Sequence, residues 1–275
     1  MENLIRGFKE NKAFRISSCL VFLLLAVTLL APVIAPYDPL EAIMRNANAA
    51  PSAEHLFGTD KLGRDVLSRI LYGASYSLSS VVGLVALIFV VGTTLGVIAG
   101  YSGGIVDTVI MRIADMMISF PGVILAIAIA GILGGSLFNA MVALLCVTWT
   151  KYGRLSRSMV LKIKKHDFVS AAVVSGGSSV HILWVHILPN ILPLMIITAA
   201  ADIGAMMMEL AGLSFLGFGS QPPAPEWGLM LNEGRQQLQT APWLMIFPGL
   251  AIFITVVIFN LWGDSLRDVL DPRQD

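Results

Sequence analysis

A helix must supply about 20 consecutive, mostly apolar residues to cross the hydrocarbon core of a bilayer, and this chain offers such runs repeatedly. Those at 16–35, 78–99 and 243–261 contain no charged residue at all. A further run at 116–133 has Arg112 and Asp115 at its entrance, one at 137–150 is short, and one at 191–213 contains Asp202 and Glu209. The pattern predicts an all-α polytopic membrane protein with about six transmembrane helices. With 56% of its 275 residues hydrophobic and 13% charged, a water-soluble fold of this length has no way to hide the apolar surface. The formal net charge of zero suggests no nucleic-acid partner.

The first run follows Arg6, Lys9, Lys12 and Arg15, as a secretory signal would, but it is longer than such an apolar region, and Pro32 and Pro36 crowd the position of cleavage. It reads as an uncleaved anchor helix. Orientation follows from Lys and Arg, which favour the cytoplasmic side. With both termini inside, the cytoplasmic segments collect those four residues, then Lys151, Arg154, Arg157, Lys162, Lys164 and Lys165, then Arg267 and Arg273. The outer segment 37–77 carries Arg45, Lys61, Arg64 and Arg69, accompanied by Asp38, Glu41, Glu54, Asp60 and Asp65. Cys19 and Cys146 lie in apolar runs, where buried free thiols are expected, too few and too isolated for a disulfide framework or a metal cluster.

Gly92, Gly96 and Gly100 recur every fourth residue on the second span and leave a groove in which another helix can approach closely. Pro121 with Gly122, and Pro248 with Gly249, predict bends where backbone hydrogen bonds are lost. The segment 151–189 is longer than a connector needs to be and basic at its start, which predicts a role outside the membrane. Within it Asp167 is placed to cap a short helix through Val174 that Gly176 and Gly177 end. His186 to Asn190 then marks the return to the bilayer.

Here the residues resemble a known family. The stretch DFVSAA at 167–172, Gly176, and HILPN at 186–190 are similar to the EAA loop of ABC-importer permeases of the dipeptide, oligopeptide and nickel group. The motifs HLFGTD at 55–60, GRDVLSR at 63–69, SFLG at 214–217, PPAPEWG at 222–228 and FNLWGDSLRD at 259–268 resemble the second permease subunit of the same importers, so the likeness covers nearly the whole chain. The stretches at 111–116, 202–207 and 232–236 look more like the nickel type, which makes nickel or a metal chelate the favoured cargo and a di- or oligopeptide the alternative.

The resemblance implies an N-terminal part, 1–77, with cytoplasmic tail, first span and external loop, and a permease core, 78–275, with five spans and the coupling loop 151–189. It implies a bacterial inner membrane and a homologous second permease as partner in a heterodimer. Two ATP-binding subunits would carry the ATP and Mg, this chain holding no cofactor, and an extracellular or periplasmic substrate-binding protein would deliver the solute. Alternating access is the implied mechanism, inward-open at rest and outward-open when the ATPases close. Asp167, Phe168, Ser170, Ala171, Ala172 and Gly176 would form the coupling contact, with Ser170 standing where the family usually has Glu. External loops receive the binding protein in that family, which puts Glu226, Trp227 and Arg235 at that contact or, on the plainer reading, in solvent.

Asp202 and Glu209 lie seven residues apart on one helix face with Met206 between them and Met195 a heptad back. An acidic residue at mid-membrane costs about 2.5–3.5 kcal/mol, so it faces protein or water rather than lipid. Two readings stand. The stripe, with Asp115, lines a translocation pathway in which Asp202 and Glu209 transiently meet a divalent cation or a peptide amine; or Asp202 pairs with a basic or polar group on a neighbouring helix and the methionines are packing.

Enzymatic readings find no support. There is no G-x-x-x-x-G-K-[ST] loop to cradle phosphates, and no H-E-x-x-H, His181 and His186 having the wrong spacing for that zinc pair. A stand-alone secondary transporter is the rival class, since it too uses intramembrane carboxylates and broken helices, but it has no need of a docking helix.

Overall fold

The computed structural model describes residues 7–270; Arg6 and Arg273, counted above among the cytoplasmic basic residues, lie outside them. Among the described residues there are helices but no strand, only one antiparallel bridge between Thr59 and Asp65. Helix α1 (Lys12–Ile34) starts where the Asn11 side chain accepts a hydrogen bond from the Phe14 N–H at 3.0 Å. Helix α2 (Val66–Ser102) is capped by Asp65, which accepts from the Ser68 N–H at 2.8 Å. Next come α3 (Gly104–Ile118), α4 (Gly122–Leu133), α5 (Leu137–Ile163) and the eight-residue α6 (Asp167–Val174). Helix α7 runs over Ser179–Phe215 and widens to π pitch at Ile182–Ile187, just ahead of Pro189, which has no N–H to offer a regular register. A short α8 (Trp227–Gly234) precedes the long α9 (Trp243–Leu270).

The six expected spans are only partly reproduced. Four helices, α1, α2, α7 and α9, have the length and apolar composition to cross a membrane. The run 116–133 is not one bent helix: α3 and α4 meet at 93° across Ser119 to Pro121, and together they make at most a fifth span. Proline at the start of α4 explains the corner, since its ring excludes the preceding residue from a continuing helix. The short run 137–150 extends as α5 for 27 residues. Lys151, Arg154, Arg157 and Lys162, assigned from sequence to a cytoplasmic loop, therefore belong to a helix of the bundle. Pro248 leaves α9 continuous.

Packing explains why α5 stays helical through its charged half. Helix α5 lies in the glycine groove of α2. A Cβ on Gly92 would stand 2.6 Å from the Trp149 carbonyl oxygen, one on Gly96 2.0 Å from Ser156 Oγ, and one on Gly100 2.9 Å from Val160 Cβ. Without a hydrophobic drive between helices in lipid, that close approach supplies dispersion contact. Helices α7 and α9 meet similarly, a Cβ on Gly263 falling 2.6 Å from Ala201 Cα. The core joins Leu84 and Ile88 of α2, Leu144 of α5, Met206, Met207 and Leu210 of α7, and Phe259 of α9. Helix α1 packs on α9 and α2, with a hydrogen bond of 2.8 Å between the Ser17 and Ser265 hydroxyls, and turns most of its apolar surface outward. Cys19 and Cys146 are free but exposed rather than buried, because each sits on the outward side of its helix.

Candidate functional site

The two ends of the bundle differ in construction. At the end where α2 finishes and α7 begins, α6 stands out from the helices. His166, not Asp167, occupies its N-cap position, and Asp167 sits in the first turn. Its C-terminus is a Schellman arrangement: the Gly177 N–H donates to the Ala172 carbonyl and the Gly176 N–H to that of Val173, both at 3.0 Å, with Gly176 at φ +80°. Val169 is the buried anchor, packed with Val160, Ile163, Ile182 and Ile187, and half-buried Ala172 lies on the same side. The opposite side presents Phe168, 44% exposed, with Asp167, Ser170, Ala171 and Gly176 also at the surface. Ala172 thus faces inward, while the other five residues expected at the coupling contact are presented outward. Phe168 is braced by His166 and His186, whose rings lie 5.7 and 6.2 Å from its own.

Along the bundle, Asp202 is 9% exposed and occupied by protein partners. Lys151 Nζ donates to its two oxygens at 2.6 and 2.8 Å, and the Tyr152 hydroxyl donates at 2.9 Å. Met195 and Met206 are buried in the core. The second of the two sequence readings therefore describes Asp202, Met195 and Met206. Glu209, one heptad further along, has a different surrounding: it is half-buried beside Met208 in a cavity of about 210 Å³ lined by Val123, Ala126 and Ile127 of α4 and Leu144 of α5. The heptad spacing put both acids on one face, but among the described residues only the first finds hydrogen-bond partners on α5.

Asp115 is an exposed residue of α3 that pairs with Arg154. One turn and more away, Arg157 grips Asp107 through Nε at 2.5 Å and through its terminal nitrogen at 2.6 Å. These pairs tie the helix before the 93° corner to α5. Nothing in the local sequence pointed to Asp107.

At the opposite end, segment 35–65 folds over the start of α2 and against α8. Asp60 receives Arg64 Nε at 2.6 Å and also pairs with Arg69, and Glu233 of α8 receives Arg64 at 3.1 Å and Arg69 at 2.8 Å. His55 Nδ1 lies 3.0 Å from the Asp65 carboxylate, and Trp243 Nε1 donates to the Thr59 carbonyl at 3.1 Å. Glu226 caps α8, accepting from the Gly228 and Leu229 N–H groups at 2.9 and 2.8 Å. Trp227 donates through Nε1 to the Ile70 carbonyl at 3.0 Å. Both are only 2% exposed, so of the three residues expected to meet a binding protein, Arg235 alone reaches the surface. Burial pushes the Glu226 carboxyl above the ordinary range, partly offset by the two backbone donors and by Ser214 and Ser77.

The model of the binding-protein-dependent transport system inner membrane component matches residues 92–275, and that of the N-terminal transmembrane domain of oligopeptide transport permease C matches 2–51. The chain is 44% identical to the dipeptide transport system permease protein of Alkalihalophilus pseudofirmus over 98% of its length and 88% of that protein's. It is 43% identical to the glutathione transport system permease protein of Pectobacterium atrosepticum, over 98% and 89% of the two chains. The nickel transport system permease protein of Escherichia coli K12 is 40% identical over 94% of each. In fold, a chain of the inward-facing MetNI methionine ABC transporter aligns with a TM-score of 0.59 at 19% identity, covering 74% of this chain and 97% of that one.

Proposed function

This chain belongs to the family of binding-protein-dependent transport system inner membrane components, and from that premise we propose that it forms half of the translocation pathway of an ABC importer for small peptides. The family's work is transport, not catalysis. The observation that carries the coupling role is α6: an eight-residue helix anchored by one buried valine, with an aromatic side chain turned outward and braced by two histidines. A helix held so lightly by its own bundle is presented to something else, and two ATP-binding subunits, which bind the ATP and Mg, are the partners proposed for it. On this reading α6 and both termini face the cytoplasm, a homologous second permease completes the pathway, and a binding protein delivers solute to the end that carries Arg235.

The preference for nickel comes from the likeness of 111–116, 202–207 and 232–236 to nickel-type permeases. The carboxylate and thioether stripe adds nothing to it, because Asp202 is engaged by Lys151 and Tyr152 and the methionines are core residues. Dipeptide and glutathione permeases at 44% and 43% identity support the peptide reading. Nickel stays as the second reading because of the 40% identical nickel permease. Within the pathway we assign Glu209, beside the half-helix α4, to line the route, Asp202 to brace it, and Asp115 with Arg154 to hold α3 against α5 in the inward-facing state.

The test is uptake of a labelled dipeptide and of radioactive nickel by cells lacking the chain, with and without its restoration. Dipeptide uptake that returns with the chain supports the peptide reading, and return of nickel uptake alone overturns it. Phe168→Asp is expected to abolish uptake while the protein stays in the membrane at its normal level; full transport by that variant would sink the docking assignment.

A further inference from the structure

Where α1 ends and segment 35–65 begins, a groove of about 530 Å³ lies between Pro32, Pro36 and Pro39 on one side and Tyr72, Tyr76 and Pro225 on the other, with Tyr37 and Asp38 in its lining. It sits at the ends of the apolar runs 16–35 and 78–99, the depth of the lipid headgroups. Its walls are firm. The Tyr37 N–H donates to Ser68 Oγ at 3.1 Å and its hydroxyl to the Glu54 carbonyl at 2.9 Å, and the prolines fix the chain around it.

Two features inside the groove are unspent. One oxygen of Asp38 accepts from the Leu40 N–H at 2.8 Å, and among the described residues its carboxylate meets no basic side chain. The hydroxyls of Tyr72 and Tyr76 likewise have no hydrogen-bond partner among the described residues. A carboxylate in a groove lined by tyrosines suits an ammonium group, and two free hydroxyl donors suit a phosphate. Leading down from the groove, Val33 and Leu29 of α1 are 81% and 80% exposed, an apolar wall along which acyl chains can lie.

We propose that this groove binds a phospholipid with a primary-ammonium headgroup of the ethanolamine type, its ammonium on Asp38 and the tyrosine faces and its phosphate on the Tyr72 and Tyr76 hydroxyls. A choline headgroup carries a cation but no N–H to donate to Asp38, and a glycerol headgroup leaves the lipid anionic beside that carboxylate. The groove therefore selects ethanolamine over both. The lipid in turn fills the space between α1 and the start of α2.

The experiment uses the complete importer, purified from vesicles made of equal parts of ethanolamine, choline and glycerol phospholipids with identical acyl chains, and reads the lipids that stay bound by native mass spectrometry. Wild type should retain ethanolamine lipid about two- to fivefold over its bulk share, the ratio expected of one partly exposed cation–π and carboxylate site. Asp38→Asn, at an exposed position, should bring retention back to the bulk ratio, and Tyr76→Phe should lower it partway. Asp268→Asn, at the other end of the bundle, should leave it unchanged. No enrichment in wild type, or enrichment equal in wild type and Asp38→Asn, overturns the proposal. Displacement of the lipid by added dipeptide overturns it as well, because it would make the groove a substrate amine site.

Discussion

Lys151 of α5 holds Asp202 of α7 with its ammonium between the two carboxylate oxygens, at 2.6 and 2.8 Å. The lysine side chain is 54% exposed and the carboxylate 13%, so the pair sits at the edge of the bundle rather than in its interior. Tyr152, on the next residue of α5, adds a donor at 2.9 Å that is buried. Because both partners lie on helices that also meet through α2, the pair closes a three-helix contact and fixes the register of α5 against α7.

Asp202→Asn should therefore lower the folded yield, by about 1.5–3 kcal/mol for a charged hydrogen bond, toward the lower figure because the lysine is half in solvent. Replacing both partners, Lys151→Met with Asp202→Leu, should restore the yield and most uptake. Transport that stays absent in a well-folded double variant would place Asp202 on the solute's route after all.

The α2 groove predicts a steeper loss. A methyl group on Gly96 would stand 2.0 Å from Ser156 Oγ and 2.1 Å from the Gly153 carbonyl oxygen. Hydroxyl removal relieves only the first clash, since the second is with backbone. Gly96→Ala should cost about 1–3 kcal/mol and not be rescued by Ser156→Ala, whereas Gly83→Ala, which would meet only Met141 at 3.8 Å, should be neutral. Detergent thermal-shift measurements on Gly96→Ala, its combination with Ser156→Ala, and Gly83→Ala decide it.

That groove was legible in the sequence because helix–helix contact through small residues is written at a fixed local spacing. The run of Leu137 to Ile163 was not, because its charged half is made helical by partners far along the chain: Asp107, Asp115 and Asp202 answer Arg157, Arg154 and Lys151. Proline marked the corner at 121 but says nothing of its 93°. Glu226 and Trp227 looked like loop residues because the groups that bury them, Ser77 and the Ile70 carbonyl, are about 150 positions earlier. The coupling helix was the easiest element of the site, as its glycines and its apolar anchor lie within ten residues of one another.

Glu226 makes a pH-dependent prediction. Burial raises its folded pKa above the ordinary 4.5, so the native state binds the proton more tightly than the unfolded one. The resulting stabilisation is fully present below pH 4.5 and is lost as pH rises through the folded value. Glu226→Gln carries no titrating group but keeps an oxygen to cap α8. Its thermal stability relative to wild type should rise between pH 5 and pH 7; a constant difference would mean that Glu226 keeps its charge throughout.

The four-residue ion network of Asp60, Arg64, Arg69 and Glu233 bears on how segment 35–65 is held. Each arginine bridges the same two carboxylates, and Arg64 and Arg69 are both about 98–99% buried. Removing one arginine leaves two buried carboxylates sharing a single cation, and breaking a buried pair in this way costs about 3–5 kcal/mol. Arg69→Met should accordingly detach α8 from the start of α2, seen as faster amide exchange in 227–234 with little change in α5. Adding Glu233→Gln removes one of the orphaned charges while leaving Arg64 on Asp60, so part of the protection should return. If the single variant exchanges like wild type, Trp227 and its bond to the Ile70 carbonyl, rather than the charges, carry the attachment.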